Sequence, residues 1–174
     1  LVNGAYSVTV ERVVYTDLTS GYTAGSVLNI SLTKDGKEVK TDARLTGSEA
    51  AYLITRTRDA DGKITETKYY AVTFKEQEKE VGSQKVMPFE SASVSELVMN
   101  TYYGQDGESY FDVNTENDEI MLIWYKGEND KNGAYYVPST TEEQEDGSKK
   151  ITTSDGSVFT VKINGETATI EKNA

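Results

Sequence analysis

The chain contains neither cysteine nor histidine, and its 174 residues include only two prolines and one tryptophan. Without Cys and His there is no disulfide framework, no zinc site of the usual kind, and no Ser-His or Cys-His catalytic pair. Long apolar runs are also missing, since the longest covers only residues 120–125, far below the length of a membrane span. These absences argue against many metalloenzymes and hydrolases and predict no membrane-spanning segment.

Positive charge is scarce. The chain has 18 Lys and Arg against 29 Asp and Glu, which gives a formal net charge of −11 at pH 7. Such a charge repels phosphate backbones and anionic membrane surfaces. Nucleic acid is therefore not expected as a partner.

What the sequence does contain favours β-structure. It has 21 Thr and 12 Tyr, and both residue types fit a pleated, half-buried surface. Alternating segments predict about ten to twelve strands, and the run 120–125, apolar on both faces, is the expected central strand. The sequence therefore predicts an all-β antiparallel meander that closes as a barrel. The alternative is an immunoglobulin-like β-sandwich.

The expected turns are Asx-Gly pairs. Both residue types tolerate positive φ, which tight hairpin turns require. Seven such pairs punctuate the chain: Asp35-Gly36, Asp61-Gly62, Asp106-Gly107, Asn132-Gly133, Asp146-Gly147, Asp155-Gly156 and Asn164-Gly165.

A segment near residue 95 departs from the β-pattern. Ser93-Val94-Ser95-Glu96 matches a capping box, and Val94, Leu97 and Val98 recur at helical spacing. This predicts one short helix over residues 93–102. We expect a single β domain over residues 1–174, with a subdivision near 75–90 as the alternative.

Tyrosine doublets, in which two tyrosines are adjacent in sequence, are the most unusual feature of the chain. On a strand, one member of each doublet points inward and the other outward, and outward tyrosines can bind a partner or stack on sugar rings. The alternative is aromatic packing between strands. The side chains predicted to bind a ligand are Tyr6, Tyr70, Tyr103, Trp124 and Tyr136.

An oxygen-rich stretch follows the second tyrosine doublet, Tyr102-Tyr103. Calcium takes six to eight oxygen ligands in flexible geometry, so Asp112, Asn114, Glu116 and Asp118 are candidate calcium ligands. The alternative is a polar turn between two strands. Calcium is the one cofactor considered, and no catalytic residue is predicted.

The two ends of the chain carry a family resemblance. Gly4-Ala5-Tyr6-Ser7-Val8 resembles the start of the first strand in lipocalin-like (calycin) barrels. Residues 155–170 are similar to the last hairpin of small bacterial lipoproteins with such barrels. The resemblance implies a lipocalin-like barrel with a cavity for a small apolar ligand.

Together these features predict a non-enzymatic binding domain from a bacterium, extracellular or anchored at the cell surface. Its expected partner is a small molecule in a barrel cavity, or a glycan or protein on a Tyr-rich face. The alternative is a structural or adhesive β-sandwich module of a larger surface protein, and a carboxylate-based hydrolase ranks last. The chain begins at Leu1, as expected of a mature chain whose targeting signal has been removed.

Overall fold

The computed structural model describes residues 2–3, 6–16, 23–47, 49–76, 86–127 and 133–173. Within these ranges the protein is all-β, with fifteen strands and no helix, so the described part of the chain holds no helix that could cross a membrane. The chain divides into two compact units. Unit 1 comprises Leu1–Arg56 and Lys68–Leu97, and unit 2 comprises Thr57–Thr67 and Val98–Ala174.

Unit 1 is built from antiparallel strands. Here β1, β2, β3 and β4 pair in sequence, β8 pairs along the other side of β2, and β5 pairs β6, which pairs β7. Strands β6, β7 and β8 also contribute residues to unit 2. The strands of this part of the chain are β1 (Val2–Asn3), β2 (Tyr6–Thr16), β3 (Thr23–Lys34), β4 (Lys37–Glu38), β5 (Ala43–Thr46), β6 (Ala50–Arg58), β7 (Ile64–Glu76) and β8 (Val86–Tyr103).

The core of unit 1 follows from strand alternation. Because successive side chains point to opposite faces, Val8 and Val10 of β2, Leu28 and Leu32 of β3, and Val72 of β7 all reach one apolar cluster. Tyr70 and Phe74 extend the same face of β7. Burial of this set supplies the main favourable term for folding this unit.

Unit 2 contains two groups of strands. The end of β8 pairs β9, β9 pairs β10 and β10 pairs β11, while β12, β13, β14 and β15 form a separate four-stranded antiparallel sheet. Side chains from both groups, including Phe111, Ile123, Ile151 and Phe159, meet in one apolar core. The remaining strands are β9 (Tyr110–Asn114), β10 (Ile120–Tyr125), β11 (Ala134–Tyr136), β12 (Pro138–Glu143), β13 (Lys149–Thr153), β14 (Val158–Asn164) and β15 (Thr167–Asn173).

The positive φ expected at the predicted turns is confirmed for their glycines. All seven glycines of the Asx-Gly pairs have positive φ. At Asp35-Gly36 both φ angles are positive, 52° and 79°, which is the pattern of a type I′ turn. At the β14–β15 hairpin only Gly165 is positive, as in a type II′ turn, because glycine is the first central residue there. Asn132, the partner of Gly133, lies outside the described residues.

The predicted helix over residues 93–102 is wrong. These residues belong to β8, and Met99–Tyr103 pair in register with Tyr110–Asn114 of β9. Val94 is buried whereas Val98 is 46% exposed, so the two do not share a buried helical face. The capping box and the helical spacing are local signals, and the ladder with β9 overrides them because strand preference depends on tertiary context.

The strand predicted over residues 120–125 is confirmed, but it is not central, because β10 lies next to the edge strand in the pairing order β11-β10-β9-β8. β10 pairs with β9 on one side and β11 on the other, and Leu122 and Ile123, which point to opposite faces, are both buried. The single domain with a subdivision near 75–90 stays a prediction, and residues 77–85 of that stretch lie outside the described residues.

Candidate functional site

Four aromatic side chains lie at one level across four neighbouring strands of unit 2. Tyr103 of β8 pairs with Tyr110 of β9, Tyr110 with Trp124 of β10, and Trp124 with Tyr135 of β11. Directly paired residues project from the same face of a sheet, about 4.7–4.9 Å apart between strands. The register therefore builds an aromatic row, which we define as Tyr103, Tyr110, Trp124 and Tyr135.

The aromatic row is held by ring contacts. The rings of Tyr110 and Trp124 stack with centroids 5.6 Å apart and an interplanar angle of 13°. Tyr103 meets Tyr110 edge-on, with centroids 5.7 Å apart, and the hydroxyl oxygens of Tyr110 and Tyr135 are 3.4 Å apart. Tyr110 is buried, whereas Tyr135 is 45% exposed. The row thus has a rigid interior and an exposed outer member.

A glycine fixes the position of the tryptophan. Gly133 has φ +67°, and a Cβ atom built on it would lie 2.3 Å from Cζ2 of Trp124. No side chain fits at this distance, so the backbone of Gly133 packs directly on the indole. Trp124 is thereby held between Tyr110 and Gly133.

The aromatic row borders a surface cleft of about 390 Å³. The tip of the β6–β7 hairpin supplies Arg58, Asp61, Gly62 and Lys63, and the β8–β9 turn supplies Gly107 and Glu108. All of these residues belong to unit 2. We call this space the aromatic cleft.

The hairpin tip is braced by hydrogen bonds of its own. Oδ1 of Asp59 accepts from the backbone N–H groups of Asp61 at 2.9 Å and of Lys63 at 3.0 Å. Nη1 of Arg58 donates to the carbonyl of Gly62 at 2.8 Å. An Asx turn of this kind satisfies backbone donors locally.

Lys63 joins the hairpin tip to the aromatic row. Its Nζ lies 4.5 Å from the centroid of the Tyr103 ring, a cation–π contact, and donates to the carbonyl of Gly107. The hydroxyl of Tyr103 accepts from the backbone N–H of Ile64 at 3.0 Å. Both contacts seat Tyr103 against the hairpin.

Charges around the aromatic cleft balance. Among the lining residues, Arg58 and Lys63 equal Asp61 and Glu108 in number, and Glu108 is ion-paired with Lys126, which does not line the cleft. The residues of unit 2 as a whole include 8 Lys and Arg against 18 Asp and Glu in sequence. The residues of unit 1 include 10 against 11. The cleft is thus locally neutral within the strongly acidic half of the chain.

Two predicted ligand-binding tyrosines lie in unit 1. The rings of Tyr6 and Tyr70 are 5.3 Å apart, and the hydroxyl of Tyr6 donates to Oε2 of Glu96 at 2.6 Å. Nζ of Lys68 lies 3.1 Å from Oε1 of the same carboxylate. This arrangement is a mixed aromatic and ionic cluster next to the unit 1 core.

These contacts shift three pKa values. The hydrogen bond from Tyr6, more than the nearby Lys68, holds the pKa of Glu96 below its usual value. Burial, reinforced by the bond to Glu96, raises the pKa of Tyr6. Burial and the hydrogen bond with Tyr6 raise the pKa of Tyr70 to about 12. At neutral pH both phenols are protonated and Glu96 is charged.

The other predicted ligand-binding residues lie in unit 2. Tyr103 and Trp124 come together in the aromatic row, but Tyr136 does not join them. Its ring packs on Phe159 with centroids 4.9 Å apart, and Nζ of Lys172 lies 5.2 Å from its centroid. Tyr136 therefore stabilises the core side of β11, and its neighbour Tyr135 faces the cleft.

The four candidate calcium ligands are held in different ways. Asp112 is fully buried on β9 and accepts from the hydroxyl of Thr101 at 2.8 Å. Asn114 caps a turn by accepting from the N–H of Glu116 at 3.0 Å, and Glu116 and Asp118 are exposed. Across the described ranges no group of three or more Asp, Glu, His or Cys is placed to hold a metal ion. Calcium binding stays a prediction without geometric support.

A second, more polar cleft of about 330 Å³ opens in unit 2. Thr67 and Thr101 line it, with their hydroxyl oxygens 2.9 Å apart, and Glu66 and Glu166 stand at its margin. It contains no lysine or arginine and one aromatic ring, that of Tyr102. The aromatic cleft is the more specific site because it brings ring faces and both signs of charge together.

Sequence reasoning missed Tyr110, Tyr135, Arg58 and Lys63. The missing signal was the position of the turns: Tyr103 and Tyr110 flank the Asp106-Gly107 turn, which pairs them directly. Counting outward from this turn would have paired Tyr103 with Tyr110, but the β-bulge between Ile120 and Leu122 prevents the same count from reaching Trp124.

Comparison with known protein families, characterised proteins and solved structures finds no match for this chain. The resemblance to lipocalin-like barrels stays an expectation, and Gly4 and Ala5 of its opening motif lie outside the described residues.

Proposed function

We propose that this protein is a non-enzymatic binding module, extracellular or anchored at a bacterial cell surface, that binds a neutral glycan in the aromatic cleft. One observation carries the proposal. Four strands place Tyr103, Tyr110, Trp124 and Tyr135 in one row beside a 390 Å³ cleft flanked by two cations and two carboxylates.

The ligand class follows from the chemistry of the cleft. A sugar ring has apolar C–H faces that pack on aromatic rings, and its hydroxyl groups both donate and accept hydrogen bonds. Arg58 and Lys63 are donors only, whereas Asp61 and Glu108 are acceptors. A ligand with hydroxyl groups can use all four. Because the cleft is locally neutral, a neutral glycan fits it better than a strongly charged chain.

Preorganisation supports binding. Stacking on Tyr110 and contact with Gly133 already fix Trp124, and Asp59 fixes the hairpin tip. A site whose side chains are already ordered loses less entropy when the ligand arrives. Few groups of the cleft then need to move on binding.

The sequence also predicts a different site, the interior of a lipocalin-like barrel that would hold a small apolar ligand. The inward side chains of unit 1, among them Leu28, Tyr70 and Val72, are buried members of its apolar core. The two unit 2 clefts open at the surface and carry polar side chains. These observations favour a surface glycan over a buried apolar ligand.

The direct test is isothermal titration of the protein against a panel of neutral oligosaccharides, repeated with Tyr135→Ala. Loss of one stacking ring is expected to weaken binding about tenfold, or about 1.4 kcal/mol. Ile163→Ala is the matched control, because Ile163 is similarly exposed at 40% and does not line the aromatic cleft. Equal affinities for the two variants, or no binding by the wild type, would contradict the proposal.

A further inference from the structure

We infer that the aromatic cleft is closed at one end and therefore recognises the ends of glycan chains rather than their interiors. This inference rests on the proposed glycan-binding function and adds the part of the chain that is bound. It follows from where the aromatic row begins and ends in unit 2.

One end of the aromatic row is open. Tyr135 lies on β11, which is the last strand in the pairing order β11-β10-β9-β8. No further strand pairs beyond β11 among the described residues, and Tyr135 is the most exposed aromatic side chain of the row. A ligand can enter across this strand.

The other end is blocked by the hairpin tip. Beyond Tyr103 the cleft is bounded by Arg58, Asp61, Gly62 and Lys63. Lys63 places its ammonium group 4.5 Å from the Tyr103 ring centroid and anchors it on the carbonyl of Gly107. The ammonium group thus takes a position over the ring that a sugar would need.

The block is fixed in place. Asp59 accepts from two backbone N–H groups of the tip, Arg58 bonds to the carbonyl of Gly62, and Ile64 donates to the hydroxyl of Tyr103. The bonds of Asp59 and Arg58 lie within the tip and brace it, and swinging the tip aside would break the two bonds that tie it to the rest of unit 2, from Ile64 to Tyr103 and from Lys63 to Gly107. We therefore treat it as a wall and not as a lid.

The geometry limits how much ligand the cleft can take. The aromatic row spans three strand spacings, about 14 Å, and Lys63 covers its Tyr103 end. The part accessible to a ligand runs from Tyr135 to Trp124 and stops at the wall. A chain that continues in both directions would collide with the hairpin, whereas a chain end would not.

The experiment uses the oligosaccharide that the wild-type protein binds, prepared as a series of increasing length. For the wild type we expect affinity per chain to stop rising after the shortest members. A longer chain of the same sugar that carries bulky blocking groups at both ends is expected not to bind. Affinity that grows steadily with length, or binding of the blocked chain, would overturn the inference and leave the proposed function standing.

Lys63→Ala tests the wall directly. Removing the ammonium group uncovers the Tyr103 ring, so the ratio of the affinity for the longer members to the affinity for the shortest is expected to rise about two- to tenfold. Lys150→Ala, an exposed lysine on β13 outside the cleft, controls for loss of charge and should match the wild type. A Lys63→Ala length profile identical to the wild type would overturn the inference. If no variant binds any glycan, the proposed function itself fails, and this inference with it.

Discussion

Gly133 is the residue on which the position of Trp124 depends most closely. It has no side chain, its φ is +67°, and its backbone lies against the indole. A glycine is required there for two separate reasons, conformation and space. The two reasons can be measured apart, because Gly147 has a similar φ of +86° with nothing within 4 Å of a built Cβ.

We therefore predict that Gly133→Ala destabilises the protein more than Gly147→Ala. The second substitution carries only the cost of positive φ for an L-residue, about 1–2 kcal/mol. The first adds overpacking against Trp124, about 1–3 kcal/mol more. Urea unfolding measures both, and near-UV circular dichroism should change only for Gly133→Ala. Equal destabilisation would show that the indole is not held by this contact.

The hydrogen bond between Tyr6 and Glu96 makes the free energy of unfolding depend on pH. The hydrogen bond from Tyr6 favours the charged carboxylate, so the folded-state pKa of Glu96 lies below its ordinary value of 4.5. A depressed carboxyl pKa contributes stability above the unfolded-state pKa, and that contribution is lost as the pH falls through the folded-state pKa.

Tyr6→Phe is accordingly expected to lower the free energy of unfolding at neutral pH. Its deficit relative to the wild type should shrink as the pH falls below 4.5. Urea unfolding across this range measures the difference. In a Glu96→Gln background the same substitution should show no such pH dependence. A deficit that stays constant through the acid range in the wild-type background would contradict the assignment.

At the scale of elements, turns align the aromatic row. Between β8 and β9, Oδ1 of Asp106 accepts from the N–H groups of Glu108 at 2.9 Å and Ser109 at 2.7 Å. Oδ2 of Asp106 accepts from the hydroxyl of Ser109 at 2.6 Å. The buried Ser109 oxygen in turn accepts from the N–H of Lys126, just after β10. Partial burial raises the pKa of Asp106, but these hydrogen bonds lower it by a larger amount. The net shift of the pKa is therefore downward.

Asp106→Ala is expected to destabilise the protein by about 1–3 kcal/mol, because the buried polar atoms of Ser109 lose their partner. It should also weaken glycan binding, since this turn sets the pairing of Tyr103 with Tyr110. Asp106→Asn keeps an acceptor oxygen and should lie much closer to the wild type. Thermal unfolding and titration calorimetry measure the two effects. Wild-type affinity in a destabilised Asp106→Ala variant would show that the turn does not set the geometry of the cleft.

The elements also show what could be predicted from sequence. Positive φ at the seven glycines follows from local chemistry, because few residues other than glycine tolerate it. The strand β10 follows as well, because a short run that is apolar on both faces suits a strand buried on both faces. The predicted helix within β8 failed because its local signals compete with a ladder formed by residues of β9. Pairing between distant strands has no local signature in one sequence.

The candidate site shows the same limit at finer scale. Trp124 and Tyr103 could be proposed from composition and strand phase. For the doublet Tyr135-Tyr136, alternation predicts only that the two side chains point to opposite faces of the sheet. A register shift of one residue would exchange the two faces. The structure places Tyr135 at the cleft and Tyr136 on Phe159. Lys63 and Arg58 could not be foreseen, because they reach the cleft through strand pairing.

For the molecule as a whole, charge is divided unequally along the chain. Nearly all of the net charge of −11 belongs to the residues of unit 2, which include 18 acidic and 8 basic residues. A uniformly acidic surface attracts cations, yet the aromatic cleft combines two basic with two acidic side chains. The local composition of the cleft thus differs from that of the unit that contains it.

The protein has a single tryptophan, and that residue stands in the aromatic cleft with a tyrosine ring stacked 5.6 Å away. All intrinsic indole fluorescence of the protein therefore originates at the proposed binding site. Excitation of tyrosine can also reach this indole by energy transfer from Tyr110. The molecule consequently carries its own optical reporter, and ligand arrival at the cleft can be followed by emission without any attached label.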